Sequence, residues 1–267
     1  MFSMPDKKVD FLNLRELGDK PRRVGVTHVL DPGIPLEDLA AKLNSYSDCV
    51  DVWKFGWGTA YVEPRLTAKM ALLHDHGVIA CIGGTLLEIA WAQGRATQCL
   101  EWAKRAGFRA IEVSRGTVAM GTAAKQLLIR EASQDFVVYA ETGYKSEERT
   151  LLPSEWYEEI TEDISAGASY IIAEGRESGT VGVYDASGKP IAEVVKAVIE
   201  AAGLERALFE TPRKDQQAWF INNYGANVNL GNIASDDLLP LRTLRLGLRG
   251  DTVSLALGEP ASNGFLR

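Results

Sequence analysis

Lys54 closes the apolar run Val52-Trp53-Lys54-Phe55 just before the glycine-rich turn Gly56-Trp57-Gly58-Thr59. A lysine at such a strand end is seldom fully buried unless paired. Its ammonium therefore calls for an anion, either a bound substrate or a carboxylate of the chain. Similar junctions recur at Gly83-Gly84-Thr85, Glu112-Val113-Ser114-Arg115-Gly116, Glu141-Thr142-Gly143-Tyr144-Lys145, Ala173-Glu174-Gly175-Arg176, Glu210-Thr211-Pro212 and Asn229-Leu230-Gly231-Asn232. Each ends an apolar run in charged, small or amide residues. If these ends share one concave mouth, Glu112, Glu141, Glu174 and Glu210 repel one another unless a cation joins them. Oxygen donors of this kind suit Mg²⁺, which keeps several waters and bridges to substrate oxygens. The four are candidate ligands, with about half expected instead to anchor arginines and lysines. The chemistry this implies is Mg²⁺-assisted and acts on an anionic substrate.

A parallel β/α barrel brings such residues together, because its active sites are assembled from the carboxyl ends of several strands. Eight apolar runs read as strands: Val24 to Leu30, Val50 to Phe55, Val78 to Ile82, Ala110 to Val113, Phe136 to Ala140, Tyr170 to Ala173, Ala207 to Phe209 and Ala226 to Leu230. Between them, Leu36 to Leu43, Pro64 to His74, Leu86 to Ala106, Thr122 to Ala132, Pro153 to Ala166, Pro190 to Ala202 and Gln216 to Tyr224 carry helical apolar spacing. Near-continuous apolar strands imply burial on both faces and hence a parallel sheet. The pattern predicts an α/β protein, a single (β/α)8 TIM barrel over residues 1–267, with an open doubly wound sheet as the competing architecture. No dinucleotide fingerprint follows the first strand, which leaves through Leu30-Asp31-Pro32-Gly33.

The chain's 267 residues match the usual size of one such barrel, about 250 residues. A net charge of −7 argues against a nucleic-acid surface, which needs a clustered basic face, so any anion site must be local. Residues Met1 to Asp10 contain no apolar signal core, and no run approaches the roughly 18 apolar residues of a membrane span. Cys49, Cys81 and Cys99, odd in number and set in apolar or helical patterns, fit buried thiols in a reducing compartment. The expected location is cytoplasmic. His74 and His76 do not share a helix face, which disfavours a zinc site there. Near the C-terminus, Asn229 to Asn232 followed by Ser235-Asp236-Asp237 could aim backbone N–H groups at a phosphate, the usual place being after the last two barrel strands. Arg242, Arg245 and Arg249 follow at helical spacing and would lie along one helix face.

Taken in order, Lys54-Phe55-Gly56-Trp57-Gly58-Thr59, Gly83-Gly84-Thr85-Leu86, Glu174-Gly175-Arg176-Glu177-Ser178-Gly179, Gln216-Gln217, Val228-Asn229-Leu230 and Gly247-Leu248-Arg249-Gly250-Asp251-Thr252 resemble the phosphosulfolactate synthase family, over about residues 21 to 253. The resemblance implies a barrel that assembles as a trimer, uses Mg²⁺ and adds sulfite to phosphoenolpyruvate to give 2-phospho-3-sulfolactate. It also implies a lysine general acid within a Glu-x-Gly-Lys-Lys-like motif. Here that motif is Glu141-Thr142-Gly143-Tyr144-Lys145, so Lys145 keeps the second lysine and Tyr144 replaces the first. With the strand-end placements, the expected catalytic residues are Lys145, Lys54 and Arg176. The expected substrate contacts are Ser114, Arg115, Gly84, Thr85, Asn229, Gly231, Asn232 and Arg249.

Two positions depart from the family pattern. The family's Leu-Asp-Lys-Gly is Leu30-Asp31-Pro32-Gly33, and its Ser-Asp-Gly is Ser114-Arg115-Gly116. One change removes a cation and the other exchanges an anion for a cation. At one mouth, that pair either compensates around the same substrates or marks a different enol acid or nucleophile. A third reading is a non-catalytic barrel, since some distant plant relatives of the family are stress-associated.

Overall fold

The computed structural model describes residues 11–14, 17–143 and 151–258. Eight strands alternate with helices: β1 (Thr27–Asp31), β2 (Val52–Phe55), β3 (Ile79–Ile82), β4 (Ala110–Val113), β5 (Val137–Thr142), β6 (Tyr170–Ala173), β7 (Ala207–Glu210) and β8 (Asn229–Ala234). They pair in sequence order, every pairing parallel, and β8 returns to β1 to close the barrel. The TIM-barrel expectation holds. The helices are α1 (Leu36–Tyr46), α2 (Thr59–Val62), α3 (Leu66–Asp75), α4 (Gly84–Ala92), α5 (Ala96–Ala106), α6 (Thr122–Ala132), α7 (Pro153–Ala166), α8 (Ala192–Ala202), α9 (Lys214–Tyr224), α10 (Leu238–Arg245) and α11 (Val253–Ala256).

Two apolar clusters divide the interior. The larger lies between strands and helices and includes Trp53, Ile111, Val138, Phe209, Trp156 and Ile160. The smaller joins Val26, Val52, Cys81, Ala110, Tyr139, Ile172 and Leu208, one residue from or beside nearly every strand, and fills the barrel's centre. Strand side chains alternate between faces. Lys54, Glu112, Glu141, Glu174 and Glu210 each stand two residues past Val52, Ala110, Tyr139, Ile172 and Leu208, so they form the layer directly above this plug at the carboxyl end.

Three departures from the sequence expectation bear on the site, each for a local reason. The pattern Leu86 to Ala106 is broken into α4 and α5 at Gly94, whose φ of +67° ends the first helix. Helix α10 ends at Arg245 before Gly247 at φ +71°, so Arg249 leaves the expected helical row. Strand β8 begins at Asn229 rather than ending near it, and its register against β1 shifts between Thr27 and Val29. That bulge adds a residue to β8 and re-aims the side chains after it. Among the described residues, no helix is long and apolar enough to cross a membrane.

Candidate active site

A cavity of about 250 Å³ opens at the carboxyl end of the barrel, lined by Leu30, Lys54, Trp57, Gly83, Gly84, Thr85, Glu112, Thr117, Glu141, Glu174, Arg176, Glu177, Glu210 and Asn232. Lys54 Nζ lies 2.9 Å from Glu112 Oε1 and 3.3 Å from Glu210 Oε1. Burial acts to lower the lysine's pKa, but Glu112, Glu210 and Glu141 together outweigh it and raise the pKa, so Lys54 stays charged. Burial pushes Glu112 up to about 7, with Lys54 opposing and Glu141 and Glu210 reinforcing the rise. A carboxyl titrating near neutrality in a cleft is a common mark of a functional site.

Backbone donors fix the other carboxylates. Glu210 Oε2 accepts from Gly175 N at 2.9 Å and Arg176 N at 3.0 Å. Arg176 N also donates to Glu174 Oε1 at 2.7 Å, with Arg176 held at φ +56°. Gly84 N donates to Glu112 Oε2 at 3.1 Å. Gly84 also approaches Ser114 so closely that a side chain would collide with its hydroxyl, which explains the glycine pair at the foot of α4.

Two buried residues that sequence reasoning passed over support the cavity's lining. His28 is fully buried in β1, its Nε2 3.7 Å from Glu112 Oε1, and neither ring nitrogen has a hydrogen-bond partner among the described residues. Burial, aided by Lys54, drives its pKa well down and keeps it neutral. The available signal was a polar residue inside Val26-Thr27-His28-Val29-Leu30, two positions before the cavity-lining Leu30. Glu88, buried on α4, accepts from Thr117 N at 2.7 Å, Val118 N at 2.9 Å and the Ser114 hydroxyl, and so shapes the loop after β4.

The structure gathers Lys54, Arg176, Gly84, Thr85, Asn232, Glu112, Glu141, Glu174 and Glu210 around one cavity. Other expected contacts lie elsewhere. Asn229 sits at the amino end of β8, where its amide accepts from Val26 N at 3.0 Å and donates to the carbonyls of Glu205 and Ala207. It pins the barrel floor, because the strand starts there. Gly231 packs against Leu208 in the barrel's interior, leaving no room for a side chain. The bulge then turns Asn232, at φ +51°, into the cavity. Ser114 is engaged by Glu88, and Arg249 lies beyond α10; neither lines the cavity. Ser235 and the acidic Asp236 and Asp237 form the turn before α10. Lys145 and Tyr144 lie outside the described residues.

The four candidate metal carboxylates fall into two pairs. Glu112 and Glu210 direct one oxygen at Lys54 and the other at backbone amides. Among the described residues no three acidic, histidine or cysteine side chains form a metal-holding group. Mg²⁺ commonly needs only one or two carboxylates besides water and substrate oxygens, and Glu141 and Glu174, both lining the cavity, fit that donor set.

The family model for (2R)-phospho-3-sulfolactate synthase (ComA) matches residues 15–251. The phosphosulfolactate synthase of Bacillus subtilis is 38% identical over 240 residues, covering 89% of this chain and 95% of that protein. That of Methanothermobacter thermautotrophicus is 38% identical over 250 residues, covering 91% and 96%. The chain belongs to the phosphosulfolactate synthase family. A plant protein of Arabidopsis thaliana, HEAT-STRESS-ASSOCIATED 32, is similar at 25% identity, covering 85% of this chain and 87% of its own. Among solved structures, a 3-hexulose-6-phosphate synthase shares the fold with a TM-score of 0.51 at 15% identity, over 82% of this chain and 95% of that one.

Within this family member, both departures from the family pattern lie off the cavity lining. Arg115 Nε donates to Glu159 Oε1 on α7 at 2.9 Å. Glu159 also receives the fully buried Lys125, whose Nζ donates to Glu159 Oε1 at 2.8 Å, Asp163 Oδ2 at 2.6 Å and the Glu141 carbonyl at 2.7 Å. Burial raises the Glu159 pKa, but Lys125 and Arg115 prevail and hold it below the usual range. Pro32 is exposed in a turn organised by Asp31, which accepts from Gly33 N at 2.7 Å, Ile34 N at 2.8 Å and Trp53 Nε1 at 2.9 Å.

Proposed function

We propose that this chain adds sulfite to phosphoenolpyruvate to form (2R)-2-phospho-3-sulfolactate, as a carbon–sulfur bond-forming lyase. One observation carries the reading: Lys54, Trp57, Gly83, Gly84, Thr85, Glu141, Glu174, Arg176 and Glu177, all from motifs of the resemblance, line one cavity, while Pro32 and Arg115 stand outside it. The charge transfer those two substitutions suggested at sequence level therefore falls in an outer turn and an inter-helix network. That weakens the case for a different enol acid. The convergence of Lys54 and Arg176 with four carboxylates likewise weighs against a non-catalytic barrel, which has no need of buried charge at its strand ends.

In this mechanism the sulfur lone pair attacks C3 of phosphoenolpyruvate and the C2–C3 π electrons move into the carboxylate, giving an enediolate. A proton delivered to C2 then completes the phosphosulfolactate. Lys54 and Arg176 bind and orient the anions. An ammonium has three donors, and Glu112 and Glu210 engage two, so the third serves the substrate carboxylate as its charge grows. Glu112 and Glu210 keep Lys54 charged and aimed. Mg²⁺ held by Glu141 and Glu174 supplies Lewis-acid stabilisation of the same carboxylate when bound. Lys145, by resemblance, delivers the proton to C2. A cytoplasmic homotrimer is the corresponding proposal for location and assembly.

The test is product analysis by mass spectrometry and ³¹P NMR after incubation with phosphoenolpyruvate, sulfite and Mg²⁺, with Lys145→Ala as the control. Phosphosulfolactate from the natural chain, lost in the control, is the expected result. Folded protein that forms no product refutes the reading. Removal of Mg²⁺ with a chelator should abolish product and its return restore it.

A further inference from the structure

Three residues other than glycine have positive φ among the described residues, Trp57 at +52°, Arg176 at +56° and Asn232 at +51°, and all three line the cavity. Such conformations cost about 1–3 kcal/mol each and persist where the surroundings enforce them, often at functional sites. Two of the three have a local cause. Arg176 turns its N–H between two carboxylates, and Asn232 follows the β8 bulge. Trp57 has neither.

The turn that holds Trp57 is inverted in its residue choice. Thr59 N and Thr59 Oγ1 both donate to the Gly56 carbonyl, at 3.0 and 2.9 Å. This closes a turn with Trp57 and Gly58 at its centre. A turn with positive φ at the first central position ordinarily places glycine there. Here tryptophan takes the strained position, while Gly58 has φ −111° and nothing near its missing side chain. The backbone on either side is fixed. A side chain at Gly56 would meet Leu30 at 2.6 Å, and one at Gly83 would meet Phe55 O at 3.0 Å and Trp57 N at 3.2 Å.

Trp57 is left 44% exposed. Its placement has a chemical use, since Leu30 and Trp57 are the only large apolar side chains among the described residues that line a cavity otherwise charged, polar or small. We propose that Trp57 is a specificity-determining residue whose strained backbone sets the indole as the flat apolar wall against the unsaturated carbon unit of a small acid substrate. It shields that carbon from water while the anionic groups meet Lys54 and Arg176. This inference rests on the reaction proposed above.

The experiment compares Trp57→Phe, Trp57→Ala and Trp57→Gly with the natural chain by steady-state kinetics in phosphoenolpyruvate and by thermal unfolding. KM should rise about tenfold in the Ala and Gly variants, with kcat changing less, and return close to the natural value in the Phe variant. The Gly variant should melt at or above the Ala variant, because glycine relieves the positive φ; without that strain, glycine's greater freedom in the unfolded chain makes it the lower-melting of the two. Natural KM in the Ala and Gly variants, with the reaction intact, overturns the inference and leaves the proposed function standing. If the natural chain forms no phosphosulfolactate, the reaction reading fails by itself. The melting order then decides, and a Gly variant melting below the Ala variant overturns the role given to Trp57.

Discussion

Replacing Arg115 with the family's aspartate should damage the fold rather than restore a substrate contact. The guanidinium is 13% exposed and Glu159 5% exposed, so their pair is largely shielded from water. Breaking a buried ion pair by removing one partner costs about 3–5 kcal/mol. Residual solvent at Arg115 lowers that to about 2–3 kcal/mol, since screened pairs are worth less. The new carboxylate then faces Glu159 at a distance of roughly 6 Å, which adds about 2–3 kcal/mol at an effective dielectric near 20, part of it offset by Lys125. The expected loss is about 4 kcal/mol in all. A barrel of this size should consequently melt about 10 °C lower, at roughly 2–4 °C per kcal/mol. Circular dichroism melting of Arg115→Asp reads this directly. Arg115→Lys, which keeps a cation opposite Glu159 and leaves the Lys125 pairing intact, should lose less than half as much. KM for phosphoenolpyruvate in the protein that remains folded should stay within about threefold. An Arg115→Asp variant that melts with the natural chain yet shifts KM more than tenfold would place Arg115 at the substrate and refute this reasoning.

Three further outcomes follow from the buried charges. Lys54→Met should lower kcat by about 10³-fold, the scale of removing a principal charge-stabilising donor, and steady-state kinetics would refute the role of Lys54 if the loss stays under tenfold. Burial lifts the Asp163 carboxyl to about 6 against the opposing pull of Lys125, so the folded chain holds a proton there that the unfolded chain releases near 4. This contribution is present below about 4 and is lost as pH rises to about 6. Asp163→Asn should flatten that decline by up to about 2 kcal/mol between pH 4.5 and 6.5, measured by urea unfolding; an unchanged slope refutes the assignment. Lys125→Met should lower stability by about 3–5 kcal/mol and also reduce kcat, because its ammonium holds the carbonyl of Glu141; a stable variant with natural kcat would separate this network from the site.

The strand ends made much of this site legible. Lys54, Glu112, Glu141, Glu174 and Glu210 each follow an inward apolar residue by two positions, and the period of a strand is enough to put them on one layer. What failed was placement along β8. The apolar run Ala226 to Leu230 suggested a strand ending near Asn229, whereas the strand begins there and continues through Gly231 and Asn232, polar or small residues with weak strand signals. One slipped boundary exchanged a floor residue for a mouth residue. Arg115 failed differently. Sequence puts it one position beyond the inward Ser114, but its partner Glu159 is 44 residues away on a helix, and only tertiary packing reveals that pairing. His28 was hidden because a single polar residue within an apolar run carries no period of its own.

The mouth's charge explains why an anion could bind among so many carboxylates. Glu112 and Glu210 face inward toward Lys54 and are held by the amides of Gly84, Gly175 and Arg176, so much of their charge is compensated before any ligand arrives. The raised pKa of Glu112 removes more of it near neutrality. Lys54 is thereby kept ionised although it is buried, which an unpaired buried lysine does not achieve, since desolvation alone drives its proton off. Glu141 in β5 and Glu174, one residue past the end of β6, both line the cavity. Their charge favours a divalent cation over a bare anion, so substrate and Mg²⁺ should bind cooperatively. In calorimetric titrations each should bind more tightly in the presence of the other by the same factor, as linkage requires. Glu141→Gln should weaken that coupling without unfolding the barrel, and equal phosphoenolpyruvate affinity with and without Mg²⁺ in the natural chain would refute the division of the carboxylates into a lysine-binding pair and a metal-binding pair.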